Sequence, residues 1–179
     1  LYQYLLGLQS PWTVSRVNLD VTGQRVDVWA EHPEDGAWAC PHCAKTLPLY
    51  DHAEERTWRH LDSCQFQTYL HARIPRVKCA EHGVVQVLVP WAEPRSRFTL
   101  LFERLAIDVL GQCDVTGATK ILRVSWDEAW GIMARAVREG PGNSDSVLSG
   151  SLASPKPPAG GEPEERGNEE NETESRAHV

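Results

Sequence analysis

The chain has 179 residues, enough for one ordinary domain or two small ones, and its five cysteines do not form the even, regularly spaced set of a disulfide framework. A reducing cytoplasm is the expected compartment: no charged and then apolar leader opens the sequence, and no apolar run approaches membrane-spanning length. The net charge of −7 is unevenly spread, because eight acidic residues face three basic ones from Gly140 onward, which leaves only −2 on Leu1–Glu139 and room there for a local basic surface.

In chain order, Leu1–Leu8 is a short apolar segment ended by Ser10-Pro11. Thr13–Val21 and Gln24–Glu31 alternate apolar and polar residues about Thr22-Gly23, the pattern of a β-hairpin with Val26, Val28 and Ala30 on one face. A turn at His32-Pro33-Glu34-Asp35-Gly36 leads to Cys40-Pro41-His42-Cys43, and Cys79-Ala80-Glu81-His82 answers it further on. Each half sets two soft ligands three positions apart on a tight turn, with Pro41 and Gly83 supplying turn chemistry. Together Cys40, Cys43, Cys79 and His82 offer three thiolates and one imidazole, a tetrahedral set that suits structural zinc and leaves no open position for a reacting water. Of the other candidates nearby, His42 is flanked by the two cysteines of its own turn, and Cys64 lacks a partner at ligand spacing and reads as a small, partly buried thiol. His52 and His60 read as surface or hydrogen-bonding residues. Short strands are expected at Thr57–Leu61, Phe66–Arg73, Arg76–Cys79 and Val84–Val89, hairpins that would build a zinc-ribbon-like module.

The periodicity changes after Pro94. Phe98, Leu101, Phe102, Leu105 and Val109 form the stripe of an amphipathic helix that Gly111 ends, and a second helix fits Thr116–Leu122. Ser125-Trp126-Asp127-Glu128 has the form of a capping box, opening a third helix expected to bury Trp126, Ala129, Trp130, Met133 and Val137 and to stop at Gly140-Pro141. The last two helices, joined by Arg123-Val124-Ser125, suit a helix-turn-helix, although Arg123 stands where glycine often sits. Asp127 and Glu128 would repel phosphate, which leaves Lys120, Arg123, Arg135 and Arg138 to touch a DNA backbone, and Arg59, Arg73 and Arg76 could extend the footprint over the first module. Cys113 falls on a helix margin, and everything past Gly140 has the composition of a disordered acidic tail. The expected architecture is therefore α+β: a zinc-binding module over 1–92, a helix-turn-helix domain over 93–139, and a tail over 140–179.

Several segments in this order resemble bacterial insertion-sequence transposases of the ISL-three type. They are Leu5-Leu6-Gly7-Leu8, the Cys40–Cys43 turn, Arg56-Thr57-Trp58-Arg59-His60-Leu61-Asp62, Arg73-Ile74-Pro75-Arg76-Val77-Lys78-Cys79, His82-Gly83-Val84, Val89-Pro90-Trp91-Ala92, Ser96-Arg97-Phe98-Thr99 and Phe102-Glu103. The resemblance covers Leu1 to about Glu139 and implies a zinc-binding N-terminal module followed by a helix-turn-helix. Cys40, Cys43, Cys79 and His82 stand at the family's ligand positions. It further implies recognition of the terminal inverted repeats of a mobile element during DNA transposition, with self-association or association with a full-length transposase as partner interactions. Catalysis in that family belongs to a later domain with an Asp-Asp-Glu triad. The acidic tail does not look like the start of one, so no catalytic residue is carried over, and Asp62, Asp108 and Asp114 are not read as a triad. The expectation is a DNA-binding N-terminal fragment without its own catalysis. A free-standing zinc-containing transcriptional regulator and a protein-interaction adaptor are the competing readings.

Overall fold

A computed structural model describes residues 1–139; the expected tail lies outside the described residues. The elements in order are α1 (Tyr2–Leu5), β1 (Thr13–Asp20), β2 (Arg25–Glu31), β3 (Ala37–Ala39), β4 (Thr46–Ser63), β5 (Phe66–Cys79), β6 (Gly83–Gln86), α2 (Leu100–Leu110), α3 (Val115–Leu122) and α4 (Trp126–Glu139). The α+β class holds: a mixed sheet comes first and helices follow.

β1 and β2 form the expected antiparallel hairpin, with Val17 opposite Val28 and Asp20 opposite Arg25. The remaining strands join differently from the sequence reading. β4 and β5 are one long hairpin rather than several short ones, and β5 is the strand around which the sheet is built. β4 lines one side of it. On the other side β2 runs parallel to Gln67–Ala72, and β6 runs antiparallel to Arg76–Cys79. Pro75 does not break β5, because the ladder is arranged around its missing N–H: the register with β4 shifts between His52 and Glu55, and the Pro75 carbonyl still accepts from Val87 N at 3.0 Å.

The apolar residues of these strands pack with the N-terminal segment into a cluster that includes Leu6, Trp12, Val26, Val28, Trp38, Trp58, Leu70, Ile74, Val77 and Trp91. Cys40 and Cys79 are buried in the same cluster. A second cluster holds the helices together through Phe98, Phe102, Ala106, Ala118, Leu122 and Ile132. The face of α2 follows the expected stripe in part: Phe98 and Phe102 are buried as expected, but Ala106 is buried too, and Leu101 and Leu105 are 36 % and 42 % exposed. The face of α4 differs more. Ala129 and Ile132 are fully buried, but Trp126, Trp130 and Val137 lie at the surface.

A short backbone pairing joins strands to helices. Arg97–Thr99 runs alongside β4, where Arg59 N donates to Arg97 O at 2.8 Å and Thr99 N to Arg59 O at 3.0 Å. Thr99 then caps α2 by accepting from Phe102 N. α4 opens with the predicted capping box: Ser125 Oγ accepts from Glu128 N at 3.2 Å, and the Glu128 carboxylate accepts from Ser125 N at 2.9 Å.

Candidate metal centre and nucleic-acid interface

Two turns at one end of the long hairpin bring the four predicted ligands together. The first follows β3: Ala44 N donates to Cys40 O and Cys40 N to Lys45 O, both at 2.9 Å, which curls Cys40–Cys43 back on itself. The second follows Cys79, the last residue of β5. The residue after each turn's second ligand is left-handed, Ala44 with φ 57 and Gly83 with φ 70. All four ligand atoms lie within 4.8 Å of one another, the only such His/Cys/Asp/Glu cluster among the described residues.

The edges of this cluster test the fit. A tetrahedron with Zn–S of about 2.3 Å and Zn–N of about 2.05 Å has S–S edges of about 3.8 Å and S–N edges of about 3.6 Å. Cys43 Sγ lies 3.7 Å from Cys79 Sγ, and His82 Nδ1 lies 3.7 Å from Cys40 Sγ and 3.5 Å from Cys79 Sγ. The site has the dimensions and the donor set of structural zinc held through Nδ1. Its electrostatics agree. The Glu81 amide, with the ring and amide of His82, holds the Cys79 thiol down to about 6. At Cys43 the Lys45 amide also lowers the pKa, but desolvation and the neighbouring Cys40 and Cys79 sulfurs push it up overall. A divalent cation between the sulfurs removes that mutual repulsion.

The other candidate ligands are elsewhere. His42 is outside the cluster with its ring 5.0 Å from that of His82, and His52 Nε2 meets His32 Nε2 at 3.1 Å. His60 is buried, its Nδ1 2.9 Å from Thr99 Oγ1. Cys64 is exposed rather than partly buried, at the tip of the β4–β5 hairpin. Cys113 is half-buried and donates to Val109 O.

The arginines and lysine named for DNA divide into two groups. Arg59 is only 6 % exposed and is paired with Asp62, so its guanidinium is not on the surface that the sequence reading gave it. Arg76 forms a two-point pair with Asp51, Arg123 pairs with Asp62, and Arg135 reaches Glu103 at 2.5 Å. Arg73, Lys120 and Arg138 are exposed and make no ion pair among the described residues. Two further exposed cations, Arg95 and Arg97, were not among the site residues expected from sequence. With Phe98, Asp127, Glu128, Gly131 and Arg135 they line a cleft of about 240 Å³ beside the first turns of α4. Their signal was the Arg-Ser-Arg run before the helices. Its position beside α4 is set by the pairing of Arg97–Thr99 with β4.

A closed metal centre on a strand hairpin, joined to a capped helix-turn-helix, defines a zinc-stabilised DNA-binding protein. Residues 36–82 match the zinc-finger of transposase IS204/IS1001/IS1096/IS1165, and residues 87–137 match the helix-turn-helix domain of transposase family ISL3. The chain belongs to transposase family ISL3. It is 33 % identical over 97 residues to the transposase for insertion sequence element IS1557 from two Mycobacterium tuberculosis strains, CDC 1551 / Oshkosh and ATCC 25618 / H37Rv. That match covers 54 % of this chain and 22 % of each relative, so the chain spans about a fifth of the curated transposases it matches. No solved structure matches it. Among the described residues, no helix is long and apolar enough to cross a membrane.

Proposed function

We propose that this portion of the protein recognises the terminal inverted repeats of its insertion element, with α4 facing the duplex and zinc holding the sheet that carries it. The observation that carries this reading is the cleft where Arg95 and Arg97 flank the first turns of α4. Recognition helices of this type read base edges with their N-terminal residues while neighbouring cations grip phosphate. Lys120 on α3 and Arg138 near the end of α4 supply further unpaired charge, and Arg73 on β5 extends it. Asp127 is exposed on the same helix, where a carboxylate can accept from cytosine N4. Binding is this portion's own task and strand cleavage is not: Asp62 is taken up by two arginines, and Asp114 caps α3 by accepting from Gly117 N at 2.6 Å.

The test is a mobility shift of the zinc-loaded chain on the element's own ends against scrambled duplex of equal length, at several salt concentrations. Preference for the ends is expected. Arg95→Gln and Arg97→Gln should each weaken binding to all sequences and reduce the salt slope by about one unit. Equal binding to scrambled duplex would remove the inverted-repeat reading, and magnesium-dependent nicking by this portion alone would overturn the division of labour.

A further inference from the structure

We infer that Arg123 is a positioning residue, which fixes the angle of α4 on the zinc module, and not a phosphate contact. Arg123 forms the turn between α3 and α4 in a left-handed geometry, φ 55 and ψ 48, that a side chain disfavours and glycine adopts freely. What arginine adds is its guanidinium. Its Nη2 donates to the Gln65 carbonyl at 2.8 Å and pairs with Asp62 Oδ2, 58 and 61 positions back in the chain. The other oxygen of the same carboxylate holds the buried Arg59, whose guanidinium also lies over the Phe102 ring of α2 at 5.1 Å. One carboxylate thus ties β4 to α2 and to the turn of the helix-turn-helix.

The landing point is itself constrained. Cys64 and Gln65, at the tip of the β4–β5 hairpin, are both left-handed, with φ 51 and 72. That is the backbone of a tight hairpin turn usually built from Asn-Gly. It directs the Gln65 carbonyl to Arg123. Two disfavoured turns, distant in sequence, meet at a single guanidinium, and such conformations persist where the surroundings over-determine them. A guanidinium whose Nη2 is committed to a carboxylate and a carbonyl has its charge compensated and its orientation fixed, so it offers a phosphate little. The inference rests on the DNA-facing role of α4 only for its DNA arm.

The experiment compares wild-type, Arg123→Gln, Arg123→Lys and Asp62→Asn chains, all zinc-loaded. Residual dipolar couplings of α4 amides, measured against those of β4 and β5, report the angle directly without DNA. Binding is measured on a duplex selected by the wild-type chain from a random-sequence library and on an unrelated duplex. All three variants are expected to average the α4 couplings and to lower the selected-to-unrelated affinity ratio by about tenfold, with the salt slope unchanged. Lysine fails with glutamine because its ammonium stops short of the two acceptors that Nη2 reaches from the far end of the guanidinium. A phosphate contact gives the opposite pattern: Arg123→Lys behaves as wild type, Arg123→Gln lowers the slope by about one unit, and Asp62→Asn tightens specific binding by freeing the guanidinium. That pattern, or unchanged couplings in all three variants, overturns the inference. If the wild-type chain selects no sequence, the DNA-end reading fails, and the couplings alone decide Arg123: averaging upholds the positioning role and unchanged couplings remove it.

Discussion

Ala44 and Gly83 occupy the same place in the two metal turns, and both are left-handed. Glycine takes that backbone freely, whereas a Cβ there costs about 1–2 kcal/mol. Ala44→Gly should therefore stabilise the zinc-loaded chain by about 0.5 kcal/mol, the strain relieved less the added freedom of the unfolded chain, and Gly83→Ala should destabilise it by about 1 kcal/mol. Urea unfolding with zinc in excess reads both, and a destabilising Ala44→Gly would contradict the turn geometry. His60 makes a second prediction. Burial pushes its pKa down to about 4, the Leu5 carbonyl opposing and Arg59 adding to the effect. The unfolded chain, with an ordinary histidine near 6.5, binds more protons between those values, so the contribution of His60 is intact above about pH 6.5 and is lost as pH falls toward 4. The loss is on the order of 3 kcal/mol. Ligand protonation releases zinc over part of the same range in every variant, so the measurement is the difference in pH slope between wild type and His60→Gln; identical slopes would remove the role. The four ligands were legible in the sequence because ligand spacing encodes them directly. The state of the arginines was not: whether Arg76, Arg123 or Arg135 is free depends on Asp51, Asp62 and Glu103, which the fold brings to them from other elements, and Arg59, paired with Asp62 on its own strand, is withdrawn by burial that has no local signal.

Among the elements, the hairpin of β1 and β2 and the capping box of α4 were legible because their signals are local. The long β4–β5 hairpin read as fragments because Pro75 looks like a break until a register shift on the partner strand accommodates it. The parallel contact of β2 with β5 has no local signal at all. In the helices, counting large apolar residues found Phe98, Phe102 and Val109 but misplaced Leu101, Leu105, Trp126, Trp130 and Val137. The inward positions are marked by alanines, with Ala106, Ala118 and Ala129 all at 0 % exposure, and small side chains there let the helices approach closely. Phe102, Leu122 and Ile132 join them, while other large residues lie outside. Trp126 and Trp130, 53 % and 51 % exposed, stack on each other at 5.3 Å over the first turns of α4. With α4 against the duplex as proposed, these half-exposed tryptophans can contact thymine methyl groups. The double change Trp126→Ala with Trp130→Ala should alter stability by no more than about 1 kcal/mol. On element ends it should cost roughly tenfold in affinity, and replacing thymine by uracil in the duplex should affect wild type but not the variant. Thermal unfolding and titration on the two duplexes check this; a collapse of stability would show that α4 packs by that face after all.

At the scale of the whole molecule, the metal and the helix-turn-helix occupy opposite ends of one hairpin. β5 runs 14 residues from Phe66, next to the tip where Arg123 docks, to the ligand Cys79, a span of roughly 45 Å at the usual rise per residue. Zinc therefore cannot act directly on a duplex bound at α4 as proposed, and its influence must pass through the sheet. The energies say that it does. Structural zinc contributes on the order of 10 kcal/mol or more, comparable with the about 5–15 kcal/mol of total stability of a small domain. Cys40 and Cys79 belong to the same buried cluster as Trp58 and Leu70, so losing the metal opens that cluster and not just two turns. The helices keep a smaller cluster of their own, and they lean on β4 through the Arg59–Phe98 bridge and on the hairpin tip through Asp62 and Arg123. Chelation should then abolish strand and helix signals in one transition, eliminate preference for element ends and be reversed by adding zinc. Cys40→Ser or Cys79→Ser should reproduce it, while Cys64→Ser and Cys113→Ser, away from the metal, should leave zinc content at about one ion per chain. Metal analysis, circular dichroism and end-binding on the same samples make the comparison. Helices that stay folded and bind element ends after the zinc is gone would mean that the sheet is a passive neighbour, and the coupling through the hairpin would have to be abandoned.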